Sequence, residues 1–191
     1  MSIVKDDHKA TLLAWHEMLQ EKRGLRASLR RCATVNECCV SDGFHSLRMK
    51  THTLWKIDDQ AWRFTALAMV AALTAHVRVI HERPSFAAQL GQKKTGDRPV
   101  MSALRFKRLS AVKTPDDLLR QLRRAISLLE GAVNLMSLAE DVFIWCREQD
   151  ELMKHIRRQQ RPTEFIRIRW TLDYYQAGDV DEKQHFEHEK G

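Results

Sequence analysis

The sequence predicts an all-α protein, a bundle of about eight or nine helices in two small packed domains with an acidic, disordered C-terminal tail. Three observations predict it. Across 191 residues Gly (7) and Pro (4) are scarce, so the punctuation that β-turn architectures need is missing. Ala, Leu, Arg, Gln and Glu dominate instead, residues that lose little on entering a helix. Apolar residues also recur at three- and four-residue spacing with charged residues between them, the period of a helix with one buried face. With 43% hydrophobic and 30% charged residues, the composition is that of a soluble globular chain rather than a disordered one.

Taken in order, residues 6–22 form the first helix. Leu12, Leu13, Met18 and Leu19 make its apolar stripe, Trp15 flanks it, and Gly24 is its stop. A short Arg-rich helix over residues 25–33 follows, and residues 36–50 carry no clean period. Asp58 and Asp59 open a long apolar helix that runs to Val79 or Ile80, because acids suit the exposed amides of a helix start. Its charge-free run, residues 64–77, spans 14 residues; that is too short to cross a bilayer and fits a buried core helix. Pro84 breaks the helix, and residues 86–90 form a short segment. The polar loop 91–99, with two glycines and a proline, separates a domain of residues 1–92 from one of residues 93–177.

In the second domain residues 100–112 form a helix. Thr114-Pro115-Asp116-Asp117 is a strong start for the next: a capping hydroxyl, Pro at the first helical position, and acids in the first turn. That helix reaches Glu130 and stops at Gly131. Asn134 begins another, through Trp145 and on toward His155, before Arg161-Pro162 interrupts the pattern. Residues 163–175 make the last helix. Residues 178–191 lack an apolar face and are acidic, hence the expected tail. No internal repeat and no convincing strand stands out.

The first residues, MSIVKDDH, lack the apolar stretch of a secretory signal. The four cysteines, Cys32, Cys38, Cys39 and Cys146, contain no C-x-x-C pair, and adjacent Cys38 and Cys39 cannot supply the spaced ligands of a zinc knuckle. Reduced structural thiols in a cytoplasmic protein are the expectation.

Net charge is +7, and its distribution says more than its size. Residues 23–124 hold 20 Lys/Arg, mostly Arg, against 8 Asp/Glu, while the flanking segments are mildly acidic. A basic segment so confined points to a polyanion; the ordinary alternative is a solubilising surface. On residues 115–130 the core stripe is Leu119, Leu122, Ile126 and Leu129. Arg120, Arg123 and Arg124 share a neighbouring face at i, i+3 and i+4. On residues 100–112, Arg105 and Arg108 lie beside the stripe of Phe106 and Leu109. Arg26, Arg30 and Arg31 repeat the theme near the N-terminus. Clustered arginines suit phosphate because the planar fork makes bidentate, permanently charged contacts. The candidate nucleic-acid-binding set is therefore Arg26, Arg30, Arg31, Arg63, Lys93, Lys94, Arg105, Arg108, Arg120, Arg123 and Arg124.

Base stacking has little to work with. Aromatics are 7% of the chain, and Trp15, Trp62, Phe64, Phe106, Phe143, Trp145 and Trp170 mostly fall on core stripes. Phosphate-directed binding with little sequence preference follows. No catalytic, metal or cofactor site is predicted. Gly91-Gln-Lys-Lys-Thr has the wrong spacing for a P-loop. Asp58–Asp59 and Asp116–Asp117 sit at helix starts, where capping accounts for them. His76 and His81 are five apart and do not share a helix face, and His185 and His188 lie in the tail.

An ordered set of segments resembles the small subunit (CasB) of the type I-E CRISPR surveillance complex Cascade. The segments are Arg26-Ala-Ser-Leu-Arg-Arg31, the apolar helix after Asp58, and Phe86-Ala-Ala-Gln-Leu90 with Ser102-Ala-Leu-Arg-Phe-Lys-Arg-Leu109. Leu118-Leu-Arg-Gln-Leu-Arg-Arg124 and Asn134 to Trp145 follow at the family's separations. The resemblance implies an all-helical, non-catalytic subunit of two small helical domains. It further implies partners: the CRISPR RNA and target DNA backbones, the guide-holding backbone subunits, the large subunit, and a second copy of the chain. Its implied work is to stabilise the R-loop, including the displaced strand, without cofactor or membrane. Base pairing to the guide would carry the sequence specificity. A free-standing helical DNA-binding regulator, using residues 100–112 and 115–130 as a helix-turn-helix, is the alternative.

Overall fold

A computed structural model describes residues 2–56, 59–95 and 97–188. Among them are ten α-helices: α1 (Asp6–Glu21), α2 (Arg23–Arg31), α3 (Val35–Cys39), α4 (Asp42–Trp55), α5 (Ala61–Thr74), α6 (Phe86–Gly91), α7 (Ala103–Ser110), α8 (Pro115–Leu128), α9 (Leu135–Met153) and α10 (Ile166–His188). Four very short strands accompany them. β1 (Val79–Ile80) pairs in parallel with β4 (Ala132–Val133), and β2 (Lys93–Thr95) pairs antiparallel with β3 (Arg98–Pro99). The all-α class expected from composition and period is what the chain adopts.

Local chemistry sets the helix starts. Thr34, Ser85, Thr114 and Asn134 each accept a hydrogen bond from the backbone N–H three residues on, satisfying one orphan amide apiece. The segment 36–50, without a clean period, is two helices broken at Val40–Ser41; Ser41 Oγ accepts from Phe44 N at 3.2 Å and starts α4. Asp58 lies outside the described residues, and α5 begins at Ala61 after Gln60. It ends at Thr74, short of the expected Val79 or Ile80. The apolar run continues because Ala75 and Val77 stay buried while the backbone leaves the helix to build β1.

The core is one apolar cluster drawn from α1 through α10. α5, buried along most of its length, packs on α9, where Trp62 and Trp55 meet the Phe143 ring. α6 lies along α10 so closely that a Cβ at Gly91 would sit 2.0 Å from the Tyr174 carbonyl oxygen. Phe106 of α7 stacks on Tyr174, whose hydroxyl donates to the Met101 carbonyl at 2.6 Å. Trp15, Trp62, Phe106, Phe143, Trp145 and Trp170 are all buried, and Phe64 is half-buried. Cys32, Cys38 and Cys146 are buried and unpaired, and burial pushes the Cys38 thiol up to about 12. The backbone of α10 continues through the segment expected as a tail as far as His188, and Ile166, Trp170 and Tyr174 are its residues in the core cluster. Residues 189–191 lie outside the described chain.

Candidate nucleic-acid interface

The cationic surface is organised by α8. Leu118, Leu119, Leu122, Ala125 and Ile126 turn into the core, so the remaining positions of the helix, Arg123 and Arg124 among them, fall on its two flanks. On one flank Arg30 at the end of α2, His76 and Arg78 of the α5–β1 connection, and Arg123 and Ser127 of α8 line a cavity of about 400 Å³. On the other flank Arg105 and Arg108 of α7 and Gln121, Arg124 and Ser127 of α8 line a second cavity, also about 400 Å³. α7 buries Phe106 and Leu109, which leaves Arg105 and Arg108 exposed. Ser127 belongs to both cavities, so the two are contiguous across one turn of α8.

Backbone geometry draws the first cavity together. α8 closes on Gly131, whose φ of +79° is the left-handed conformation that glycine adopts without penalty. The Gly131 carbonyl then accepts from Arg78 N at 2.8 Å and Val79 N at 3.1 Å. A Cβ there would come within 3.0 Å of Arg78 Cγ and 3.1 Å of the His76 carbonyl oxygen, so glycine allows the close approach. The charges are felt at His76. Burial first, then Arg123, Arg30 and Arg26, lower its imidazole from the ordinary 6.5 to about 4. It is therefore neutral at physiological pH and does not add to the cationic charge.

The sequence-predicted residues divide into three groups. Arg30 and Arg123 enter the first cavity and Arg105, Arg108 and Arg124 the second; among the described residues none of these five makes an ion pair. Arg31 is exposed and lines neither cavity. The others have internal partners. Arg26 donates to Gln20 Oε1 at 2.6 Å and to the Ala75 and Val77 carbonyls at 2.9 and 3.1 Å, tying α2 to the end of α5. Arg63 donates to the Trp55 carbonyl at 3.0 Å and lies 4.9 Å from the Trp62 ring centroid. Lys93 pairs with Asp97 at 3.0 Å, Lys94 with Glu130, and Arg120 with Asp117. Arg78 was not among the candidates. It follows the apolar run directly, where an uninterrupted helix was expected, and the turn that aims it at α8 has no signal in the local sequence.

A larger cavity, about 650 Å³, lies between the N-terminal residues and α9, but its lining mixes Lys9 and Arg83 with Glu82 and Glu140. Among the described residues no group of three or more His, Cys, Asp or Glu is placed to hold a metal ion. No described helix is long and apolar enough to cross a membrane.

The sequence pattern of one protein family, described as CRISPR-associated protein Cse2, matches residues 25–175. Neither the curated proteins nor the solved structures yield a match to the chain. The matched span runs from α2 into α10 and contains every residue of both arginine-lined cavities. The chain thus belongs to the Cse2 family and is a small subunit of the CRISPR surveillance complex Cascade.

Proposed function

We propose that this subunit is non-catalytic and holds nucleic-acid backbone without sequence preference, stabilising the R-loop of guide RNA and target DNA, including the displaced strand. The carrying observation is the pair of contiguous cavities on either flank of α8, lined by Arg30, Arg78, Arg123, Arg105, Arg108 and Arg124 without ion-pair partners among the described residues. Arginines without carboxylate partners retain their forks for phosphate oxygens. Among the described residues no Phe, Tyr or Trp lines either cavity, which favours backbone over base contacts. The track would cross both helical halves, residues 1–92 and 93–177. Its nucleic-acid partners are the CRISPR RNA and target DNA. Its protein partners are the guide-holding backbone subunits, the large subunit and a second copy of the chain, in the cytoplasm.

Salt titration of target binding by reconstituted Cascade tests this. For a single strand, log affinity falls against log salt with a slope of about −0.7 per phosphate neutralised. Arg105→Ala, Arg108→Ala and Arg124→Ala are each expected to make that slope shallower by up to about 0.7 and to weaken all target sequences alike. Unchanged slope and affinity in all three, with the subunit still incorporated, would remove the groove from the interface.

A further inference from the structure

The two cavities are not equivalent, because the one between α2, the α5–β1 connection and α8 brings arginines from three separate elements, Arg30, Arg78 and Arg123, to one hollow. Nε and Nη2 of Arg123 are buried and have no acceptor, and His76 Nε2 is buried without a partner as well. The carboxylate in this cavity, Glu130, pairs with Lys94 and also feels the charge of Arg78, without an ion pair to it. Arg26, whose field reaches Arg30, Arg78 and His76, has spent its donors on Gln20 and two backbone carbonyls, so it contributes charge rather than contacts. An unpaired buried donor is costly, and three guanidinium groups from three separate elements repel one another around a shared hollow. A compact anion made entirely of acceptors, seated in the hollow, offsets that repulsion, and phosphate is that group.

We infer that this cavity is a seat for a single phosphate of a nucleic-acid strand, gripped by Arg30, Arg78 and Arg123 and joining α2 to α8 through the anion. This rests on the strand-binding reading above and adds that one phosphate is singled out. The strand leaves the seat over Ser127, which lines both cavities, and its next phosphates meet Arg105, Arg108 and Arg124 in the more open groove. Arg123 is the anchor because its guanidinium is partly buried, whereas Arg30 and Arg78 are exposed and close on the anion from the rim.

Nuclear magnetic resonance of the arginine Nε–H groups in the full chain tests the seat. Inorganic phosphate and a short oligothymidylate are titrated separately, with chloride at matched ionic strength as the reference. Phosphate is expected to shift the Arg123 Nε–H resonance saturably, and the oligonucleotide to reproduce that shift. Arg78→Gln, at an exposed position that leaves the core intact, is expected to weaken phosphate at least tenfold. Arg105→Gln is expected to weaken the oligonucleotide and leave phosphate unchanged. If phosphate acts on Arg123 only as chloride does, or moves all arginines alike without saturation, while the oligonucleotide still binds, the seat is overturned and the strand-binding reading stands. A phosphate shift that the oligonucleotide fails to reproduce overturns the assignment to a strand. Loss of both responses overturns the seat and the strand-binding reading together.

Discussion

Arg26 and Arg30 stand one helical turn apart on α2, and neither sequence nor spacing distinguishes them. Arg26 meets the carbonyls at the end of α5, while Arg30 opens into a cavity. Helical period places arginines on a face, but whether each finds a carbonyl or an acid depends on elements far along the chain. That is why the basic segment was legible as a whole while Arg26, Arg63, Lys93, Lys94 and Arg120 turned out to have internal partners. His76 offers a test at the same scale. A base depressed from 6.5 to about 4 contributes stability that is complete above pH 6.5 and lost as pH falls through 4. Buried Asp141 acts with the opposite sign. Burial raises its carboxyl from 3.8 to about 6 against the pull of Arg169, so its contribution is complete below pH 3.8 and lost as pH rises through 6. The two oppose each other between pH 4 and 6 in the native chain. His76→Leu removes the first, so stability relative to the native chain is expected to rise as pH is lowered from 6.5 to 4. Denaturant midpoints at three pH values across that window check it, and a pH-independent difference would show that His76 titrates normally in the folded state.

Elements with a strong local signal were the legible ones. Thr114-Pro115 at the head of α8 and Asn134 at the head of α9 mark their helices through caps that the structure contains. The ambiguous stretch around α3 and α4 is decided partly from outside: Asp116, in the first turn of α8, accepts from Val35 N at 2.7 Å and caps α3 across 81 residues of sequence. The α6–α10 contact is another long-range decision. Asn134 reinforces the surroundings of α6 by donating from Nδ2 to the Glu82 and Pro84 carbonyls, while Gln89 accepts from its backbone N–H. Gly91 looked like the start of a polar loop, yet it is the place where two backbones touch. Gly91→Ala would set a methyl carbon 2.0 Å from a carbonyl oxygen that cannot move without moving α10. The expected cost is about 3 kcal/mol or more, at the upper end of overpacking effects. Urea denaturation measures it, and a loss below about 1 kcal/mol would show that α10 can slide away from α6.

At the scale of the whole molecule, the question is whether residues 1–92 and 93–177 behave as two units or as one. The elements of the two segments interlock rather than abut: α5 lies on α9, α6 on α10, and β1 pairs with β4. The apolar cluster passes through both without a break, from Leu12 and Trp15 to Trp170 and Tyr174. Neither segment could bury its share of that surface alone, and buried aromatic and aliphatic side chains each contribute on the order of 1.5–3 kcal/mol. Separating the segments would expose α5 and α6 on one side and the inner faces of α9 and α10 on the other. The expected outcome is therefore a single cooperative transition. Trp15 and Trp55 report on the first segment, Trp145 and Trp170 on the second, and all four are buried. Fluorescence from a variant retaining only Trp15 and Trp55, and from one retaining only Trp145 and Trp170, should each follow the same midpoint as that variant's own far-ultraviolet circular dichroism. Midpoints that separate within one variant would show two independently folding units. A phosphate bridging Arg30 of the first segment and Arg123 of the second would then act between domains rather than within one core.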